Sequence, residues 1–445
     1  MPGQTTVSVV PMLDISSSMT SAMGIVKIDA KAFVRSARPN DQLGVIAFGD
    51  ASSVIYPVPP GLVTVSPSLN ETALAAQAIQ GLTTQNLTNM GQAMQQANTL
   101  IASATGSVKA FVILSDGYWT AGPDPTPILG ATPPIFVAGL GSIVNQSYFQ
   151  AMLNKNANSK YYNAPNAYQM MTIFNDIRAS PPDVAAASNA LASYSGADYQ
   201  LVPNVIAADT EEVQISVVWS DPNYYYTAGD PSGYAINVVL IDPTGHNSPV
   251  QPVVTDPGYA IFNLNNPQPG TWQTLVQYSV GSPVWGTAAG FEFDTQVNLH
   301  LEAPATLKAG EPLLAQARVL DEGEPVEGLS IRAHITRPAI SVANALVRHA
   351  QALKSVIPDP EFLHEGHDEA IAQLQTYERH RPEGQILSQI PSMRTLSPEA
   401  DGSYSLTFPD TAEAGNYNVV LHVDGSNPKT GRSFSRTRRF STLVI

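Results

Sequence analysis

The chain has 445 residues, more than a single hydrophobic core usually serves, so we expect two to four domains. Hydrophobic residues make up 43% of it, but no apolar run approaches the roughly 20 residues of a membrane-spanning helix, which argues against a membrane span in this chain. The net charge of −15 disfavours binding to nucleic acid or anionic membranes, and the absence of cysteine excludes disulfides, thiolate metal sites and cysteine nucleophiles.

Short apolar segments alternate with helical patterns over about the first 180 residues. The segments with the continuous apolar character of buried strands are 7–13, 43–48, 111–114 and 135–138. Helices are predicted from the spacing of Met23, Val26 and Ala30, from a start near Thr88, and over 146–154 and 166–178. Fully apolar strands alternating with helices predict a doubly wound, Rossmann-like α/β domain over residues 1–182.

The pattern changes after the sequence Ser180-Pro181-Pro182. Apolar and polar residues then alternate, as in 213–217 and 236–240, and turn-forming residues such as Asp221-Pro222 and Pro269-Gly270 separate these segments. This pattern predicts an all-β sandwich, of immunoglobulin-like or jelly-roll type, over residues 183–295.

A second all-β domain is predicted over residues 296–445. Period-two alternation resumes at Val297, but at about 340–380 the apolar residues repeat at helical spacing, so we interpret this stretch as a helical insertion in an immunoglobulin-like sandwich. In the last predicted strand, the alternate positions of Arg436 and Arg438, with Arg439 beside them, predict a solvated outer face.

Oxygen-bearing side chains follow two apolar strands of the first domain and precede one of its helices. Asp14, Ser16 and Ser18 occupy alternate positions of an extended turn, which directs their oxygens to a common point. Asp116 follows the strand 111–114, and Thr88 stands where a helix begins. Carboxylates and hydroxyls are the hard donors that Mg²⁺, Mn²⁺ and Ca²⁺ prefer, and open α/β sheets bind ligands at the carboxyl ends of their strands.

In these three segments the sequence resembles the von Willebrand factor A family, over about residues 5–180, and its metal-ion-dependent adhesion site. The resemblance implies that Ser16 and Ser18 are direct hydroxyl ligands and that Thr88 ligates when an acidic partner is engaged. It implies that Asp14 and Asp116 act directly or through water. Taken singly, each residue also has a simpler role, the hydroxyls as helix N-caps and Asp116 as a turn former.

The order of the predicted domains is similar to that of the calcium-activated chloride channel regulator family. Segments 217–222, 269–272 and 401–404 share its character. The N-terminal zinc-protease region and the cysteines of that family are missing here, so the resemblance does not imply its self-cleavage.

We expect a binding protein and not an enzyme. A divalent cation, Mg²⁺ first and Mn²⁺ or Ca²⁺ as alternatives, would capture an exposed Asp or Glu of a protein partner. The favoured setting is adhesion outside the cell or at its surface, although the N-terminus MPGQTTVSVV lacks a signal-peptide pattern and we expect none in the chain as given.

Two alternatives remain open. One is an intracellular assembly factor whose first domain recruits an acidic motif of an enzyme complex. The other is a metalloenzyme that uses the histidine-rich insertion, although His364 and His367 lack the i, i+4 spacing of a zinc-protease helix. The first 245 residues contain no histidine, which excludes a serine triad within the first domain.

Overall fold

The computed structural model of the protein describes residues 5–117, 119–128, 133–141, 146–153, 158–181, 184–208, 210–229, 235–293, 295–364, 368–381 and 385–445. An α/β unit is followed by antiparallel β-sheets, which confirms the multi-domain fold class predicted from the sequence. No helix in these ranges is both long and apolar enough to cross a membrane.

The first unit is built on a predominantly parallel sheet. Its strands are β1 (Val7–Asp14), β2 (Gln42–Leu43), β3 (Val45–Phe48), β4 (Ser52–Tyr56), β5 (Val63–Thr64), β6 (Val108–Ser115), β7 (Ile135–Leu140) and β8 (Lys160–Ala164). Its helices are α1 (Met23–Arg35), α2 (Asn70–Gln80), α3 (Met90–Ile101), α4 (Gln146–Leu153) and α5 (Ala167–Arg178). The main strand order is β4-β3-β1-β6-β7-β8, and only β4 in this series runs antiparallel to its neighbour.

Helices cover both faces of this sheet, as a doubly wound fold requires. One apolar core joins the sheet to α1, α2 and α5, and a second joins its other face to α3 and α4. The central strands β1 and β6 are parallel neighbours in which Leu13 pairs with Leu114. That register brings the next residues, Asp14 and Ser115, side by side at the carboxyl edge of the sheet.

The second unit is a single, mostly antiparallel sheet that bends over itself, in which the short edge strand β11 pairs in parallel with β12. Its strands are β9 (Val184–Ile206), β10 (Glu212–Trp219), β11 (Tyr225–Thr227), β12 (Ala235–Ile241), β13 (Val254–Asp256), β14 (Tyr259–Asn265) and β15 (Gly270–Phe293). The long strands β9 and β15 pair along their length, while β12 joins the first part of β15 and β10 joins its last part. Apolar residues of β12, β10 and β14 share one buried core, so the two parts of the sheet face each other.

The third unit is a sandwich of two sheets around one core. Its strands are β16 (Val297–Glu302), β17 (Thr306–Leu307), β18 (Leu313–Asp321), β19 (Glu324–Pro325), β20 (Ile331–Pro338), β21 (Gln389–Thr395), β22 (Ser397–Pro398), β23 (Tyr404–Phe408), β24 (Gly415–Ser426) and β25 (Ser433–Val444). Between β20 and β21 lie the helices α6 (Val342–Arg348), α7 (Ala350–Leu353), α8 (Pro360–His364) and α9 (Glu369–His380), which form the insertion.

The prediction of a solvated arginine face on the last strand is wrong. Arg436 is only 1% exposed and forms an ion pair of 2.9 Å with Glu292 of β15. Arg438 donates a hydrogen bond to the carbonyl of Ala179, and Arg439 lies 2.9 Å from the carboxylate of Asp176. Strand β25 packs against the first and second units, so its outer face is an interface between units and not a surface in contact with water.

Candidate metal centre

Asp14 is the last residue of β1, and its carboxylate is fully buried. One carboxylate oxygen accepts a hydrogen bond from the N–H of Ser16 at 2.8 Å, and the other accepts one from the hydroxyl of Ser115 at 2.5 Å. Ser115 in turn accepts a hydrogen bond from the N–H of Gly117. The parallel register of β1 and β6 therefore fixes the carboxylate of Asp14 from the neighbouring strand.

The hydroxyls of Ser16 and Ser18 lie 3.2 Å apart, and both residues are buried. Ser16 precedes the short 3-10 helix Ser17–Met19, but its side chain makes no capping hydrogen bond there. Helix α1 begins later, after Ala22. The simpler interpretation of these serines as side-chain helix caps is therefore not what the structure shows.

Thr88 is not the N-cap of α3, because Asn89 holds that position and its side chain accepts the hydrogen bond from Gln92. The Thr88 hydroxyl is buried and has no hydrogen-bond partner within the described part of the chain. Its main chain is fixed, since its N–H donates to the hydroxyl of Thr120 at 2.9 Å and its carbonyl accepts from the N–H of Thr120. A buried hydroxyl with no partner needs an explanation, and a bound ligand supplies one.

Hydrogen bonds hold the loop that carries Thr88 against the loop that follows β1. The N–H of Gln85 donates to the carbonyl of Ile15 at 2.6 Å, and the hydroxyl of Ser17 donates to the carbonyl of Asn86. The carboxylate of Asp50 accepts hydrogen bonds from two more N–H groups of the same loop, at 2.8 and 3.1 Å. The two segments consequently reach the same edge of the sheet.

The electrostatics of this edge favour a cation. Burial of the carboxyl and the nearby charge of Asp116 raise the pKa of Asp14 to about 7, although hydrogen bonds from Ser115 and Ser16 lower it. Asp116 is itself only 7% exposed. Two buried carboxylates close together repel each other when both are ionised, and a divalent cation would relieve that repulsion. Two carboxylates and three hydroxyls also suit a hard ion such as Mg²⁺.

Sequence reasoning missed two residues that shape this centre. Ser115 holds the carboxylate of Asp14, and Asp50 holds the loop of Thr88. Each of them has a signal in the sequence. Ser115 ends an apolar strand directly before Asp116, and Asp50 comes two residues after the apolar strand that ends at Phe48.

The histidines of the insertion were the alternative metal ligands considered from the sequence. His380 lies 3.1 Å from the carboxylate of Asp359, and His364 is the last residue of α8. His367 lies outside the described residues. Within the described ranges, no group of three or more His, Asp or Glu side chains is arranged to hold a metal ion.

Comparison with known proteins identifies the class of the first unit. Residues 9–118 match the family described as von Willebrand factor type A domain. This segment includes most of β1 and all of α3 and β6, and with them all five predicted site residues. The chain therefore carries a von Willebrand factor type A domain at its N-terminus. No curated protein matches the chain.

Solved structures similar to the chain include other proteins of this class. A von Willebrand factor type A protein from Catenulispora acidiphila is 14% identical over 72% of this chain and 63% of its own, with a TM-score of 0.37. Proximal thread matrix protein 1 of the mussel byssus, with a zinc-occupied MIDAS motif, is 14% identical over 42% and 50%, with a TM-score of 0.32. Manganese-loaded TRAP protein of Plasmodium vivax is 13% identical over 38% and 71%, with a TM-score of 0.30. The chain thus spans less than two thirds of the first two, and these distant likenesses carry no argument about function.

Proposed function

We propose that this chain is a metal-dependent protein-binding protein and that its A domain captures a carboxylate of a partner. Asp14, Ser16, Ser18, Thr88 and Asp116 would hold one divalent cation, with Mg²⁺ as the first candidate. The single observation that carries the proposal is the buried Thr88 hydroxyl, which lacks a hydrogen-bond partner in the described part of the chain. Its loop is hydrogen-bonded to the segment that follows the buried Asp14.

The two kinds of donor group in the proposed site make different contributions. Asp14 and Asp116 supply negative charge, and the three hydroxyls supply neutral oxygens, so the donor set leaves a divalent ion with residual positive charge. When bound, the cation would attract an Asp or Glu side chain from a partner. The hydrogen bonds of Ser115 and Asp50 keep the donors in place before the ion arrives, which lowers the ordering cost of binding.

Binding is all that this mechanism requires, and no covalent bond is made or broken. An adhesion protein at the cell surface and an assembly factor inside the cell would use the same chemistry. They would differ only in the protein that offers the carboxylate.

The first test is a titration with Mn²⁺ followed by electron paramagnetic resonance. We expect one bound ion per chain, weakened at least about tenfold by Asp14→Asn and by Thr88→Val, which corresponds to about 1.4 kcal/mol. Asp29→Asn is a matched control, because Asp29 is also a buried aspartate of this domain but lies in α1, outside the site. It should leave Mn²⁺ binding unchanged.

The second test measures carboxylate capture on surfaces that carry glutamate-containing peptides, with matched glutamine peptides as the control. We expect retention on the glutamate surface only, and only with Mg²⁺ or Mn²⁺ present. Equal retention in EDTA, or equal retention of Asp14→Asn, would rule the proposed function out.

A further inference from the structure

The two chain segments that enter and leave the insertion of the third unit are hydrogen-bonded to each other, and we call this junction the neck. It leaves the sandwich after β20 and returns at β21, and these strands pair up to Pro338 and Gln389. One residue further out, the N–H of Ala339 donates to the carbonyl of Ser388 at 2.9 Å. The helices beyond this neck have a small apolar core of their own, centred on Ala345, Leu353 and Leu374. The insertion is therefore a folded unit that joins the sandwich at this neck. Next to the neck, the carboxylate of Glu413 in the sandwich accepts hydrogen bonds from the N–H of Ser341 and from the side-chain amide of Asn344.

Helix α8 of the insertion lies against the A domain close to the candidate metal centre. The Cα atoms of α8, Pro360–His364, approach within 8 Å of those of the 3-10 helix Ser17–Met19. That helix contains the candidate ligand Ser18 and follows Ser16 directly in the sequence, so α8 lies against the segment that carries two of the five candidate ligands. The contact joins parts of the chain more than 300 residues apart in sequence.

The candidate ligands are closed off from solvent. Asp14, Ser16 and Thr88 are 0% exposed, and Ser18 and Asp116 are each 7% exposed. A side chain of another protein can bind an ion among these groups only if the site first becomes accessible.

The position of α8 is fixed from behind by α9. The ring of Phe362 is 7% exposed and lies under the guanidinium of Arg379, whose central carbon is 4.3 Å from the ring centre. Arg379 also binds the carboxylate of Asp359 at 3.1 Å, and the N–H of Asp359 donates to the hydroxyl of Thr376 at 2.8 Å. Removal of these contacts would free α8 while leaving the A domain itself untouched.

We propose that α8 is a tethered lid over the metal site, so that the insertion and the protein partner compete for the same face of the A domain. The inference rests on the proposed function, because it assigns a form of regulation to that site. Since the lid belongs to the same chain, its effective concentration at the site is high, and a partner binds only the fraction of molecules in which the lid is open.

The test uses the full chain and Mn²⁺ alone as the probe. The chain is loaded with Mn²⁺, mixed with excess EDTA, and the loss of bound Mn²⁺ is followed with time. We expect Phe362→Ala to lose Mn²⁺ at least about ten times faster than the natural chain, because the loss of a buried ring weakens the closed state. Water-proton relaxation by the bound Mn²⁺ should rise in the same variant, since more water reaches an open site.

The matched control is Val347→Ala, which also shortens an apolar side chain of the insertion but at a position that is 78% exposed in α6. It should lose Mn²⁺ at the natural rate. If Phe362→Ala does not fold, Arg379→Gln decides, because it removes the stacking on Phe362 and the ion pair with Asp359 but keeps the ring.

The outcomes separate this inference from the proposed function. If all chains bind Mn²⁺ in an Asp14-dependent way and lose it at one rate, the lid is refuted and the metal site stands. If no folded chain binds Mn²⁺, the proposed function fails and the lid fails with it. Faster loss in the α8 variants, with the control unchanged, supports the lid.

Discussion

Replacement of Thr88 by valine should make the metal-free protein more stable and at the same time remove its response to metal. The Thr88 hydroxyl is buried and has no hydrogen-bond partner in the described part of the chain. Valine has nearly the same shape and carries no polar group. The backbone hydrogen bonds of Thr88 to Thr120 do not involve the side chain, so they survive the substitution.

The magnitude follows from the cost of leaving a buried polar group unsatisfied, which is about 1–3 kcal/mol. For a domain of 150–250 residues, each 1 kcal/mol shifts the melting temperature by about 2–4 °C. We therefore expect Thr88→Val to melt at least about 2 °C above the natural chain in EDTA. In Mg²⁺ the order should reverse, because only the natural chain gains stability from the ion.

Thermal unfolding with and without Mg²⁺ measures both effects in one experiment. Thr88→Ser serves as a second variant, because it keeps the hydroxyl and should therefore keep part of the stabilisation by Mg²⁺. The reasoning would be refuted if Thr88→Val melted below the natural chain in EDTA, or if Mg²⁺ stabilised both chains equally.

Three further predictions concern the charge, the packing and the interfaces of the molecule. The raised pKa of Asp14 means that folding favours its protonated form, so the stability in EDTA should fall as the pH rises from about 4 through about 7. Asp14→Asn should flatten this part of the plot of urea midpoint against pH. Gly24 and Gly91 are the second residues of α1 and α3. The Cβ of an alanine at Gly24 would meet nothing within 4 Å, so Gly24→Ala should stabilise the protein by up to about 1 kcal/mol because alanine is the better helix former. A Cβ at Gly91 would clash with the backbone carbonyl of Pro123, so alanine there should destabilise by about 1–3 kcal/mol. Equal melting temperatures for the two variants would contradict this. Arg436→Met leaves Glu292 buried without its ion-pair partner and should lower the free energy of unfolding in urea by about 3–5 kcal/mol. Adding Glu292→Gln should recover part of this loss, and a loss below about 1 kcal/mol would contradict the buried pair.

The elements of the A domain were predictable because their patterns are local. A strand buried on both faces, such as β6, is recognisable as a continuous apolar run, and α1 by its helical spacing. The solvated face predicted for Arg436 and Arg438 failed for the opposite reason. Alternation along a strand predicts which residues share a face, but it does not predict what packs against that face. Here the other units cover it.

The residues of the candidate site could be proposed from short sequence patterns, while their surroundings could not. The motif that contains Asp14 and the helix start near Thr88 are short sequence patterns with a chemical meaning. The hydrogen bond from Ser115 depends on the register between two strands about 100 residues apart. The approach of α8 to Ser17–Met19 depends on how the third unit folds back onto the first, and no local pattern encodes that.

The way the units are joined indicates which motion would open the site. Buried or half-buried ion pairs connect the third unit to both others, through Arg436 with Glu292 and through Arg439 with Asp176. Rotation of the whole third unit would have to separate these charges and the packing around them. The insertion is joined to the sandwich at the neck near Ala339 and by hydrogen bonds to Glu413, and α8 is held to α9 by the stacked ring of Phe362 and the carboxylate of Asp359. Because movement of the insertion would leave the Arg436–Glu292 and Arg439–Asp176 ion pairs intact, we expect the insertion to open while the three units stay docked.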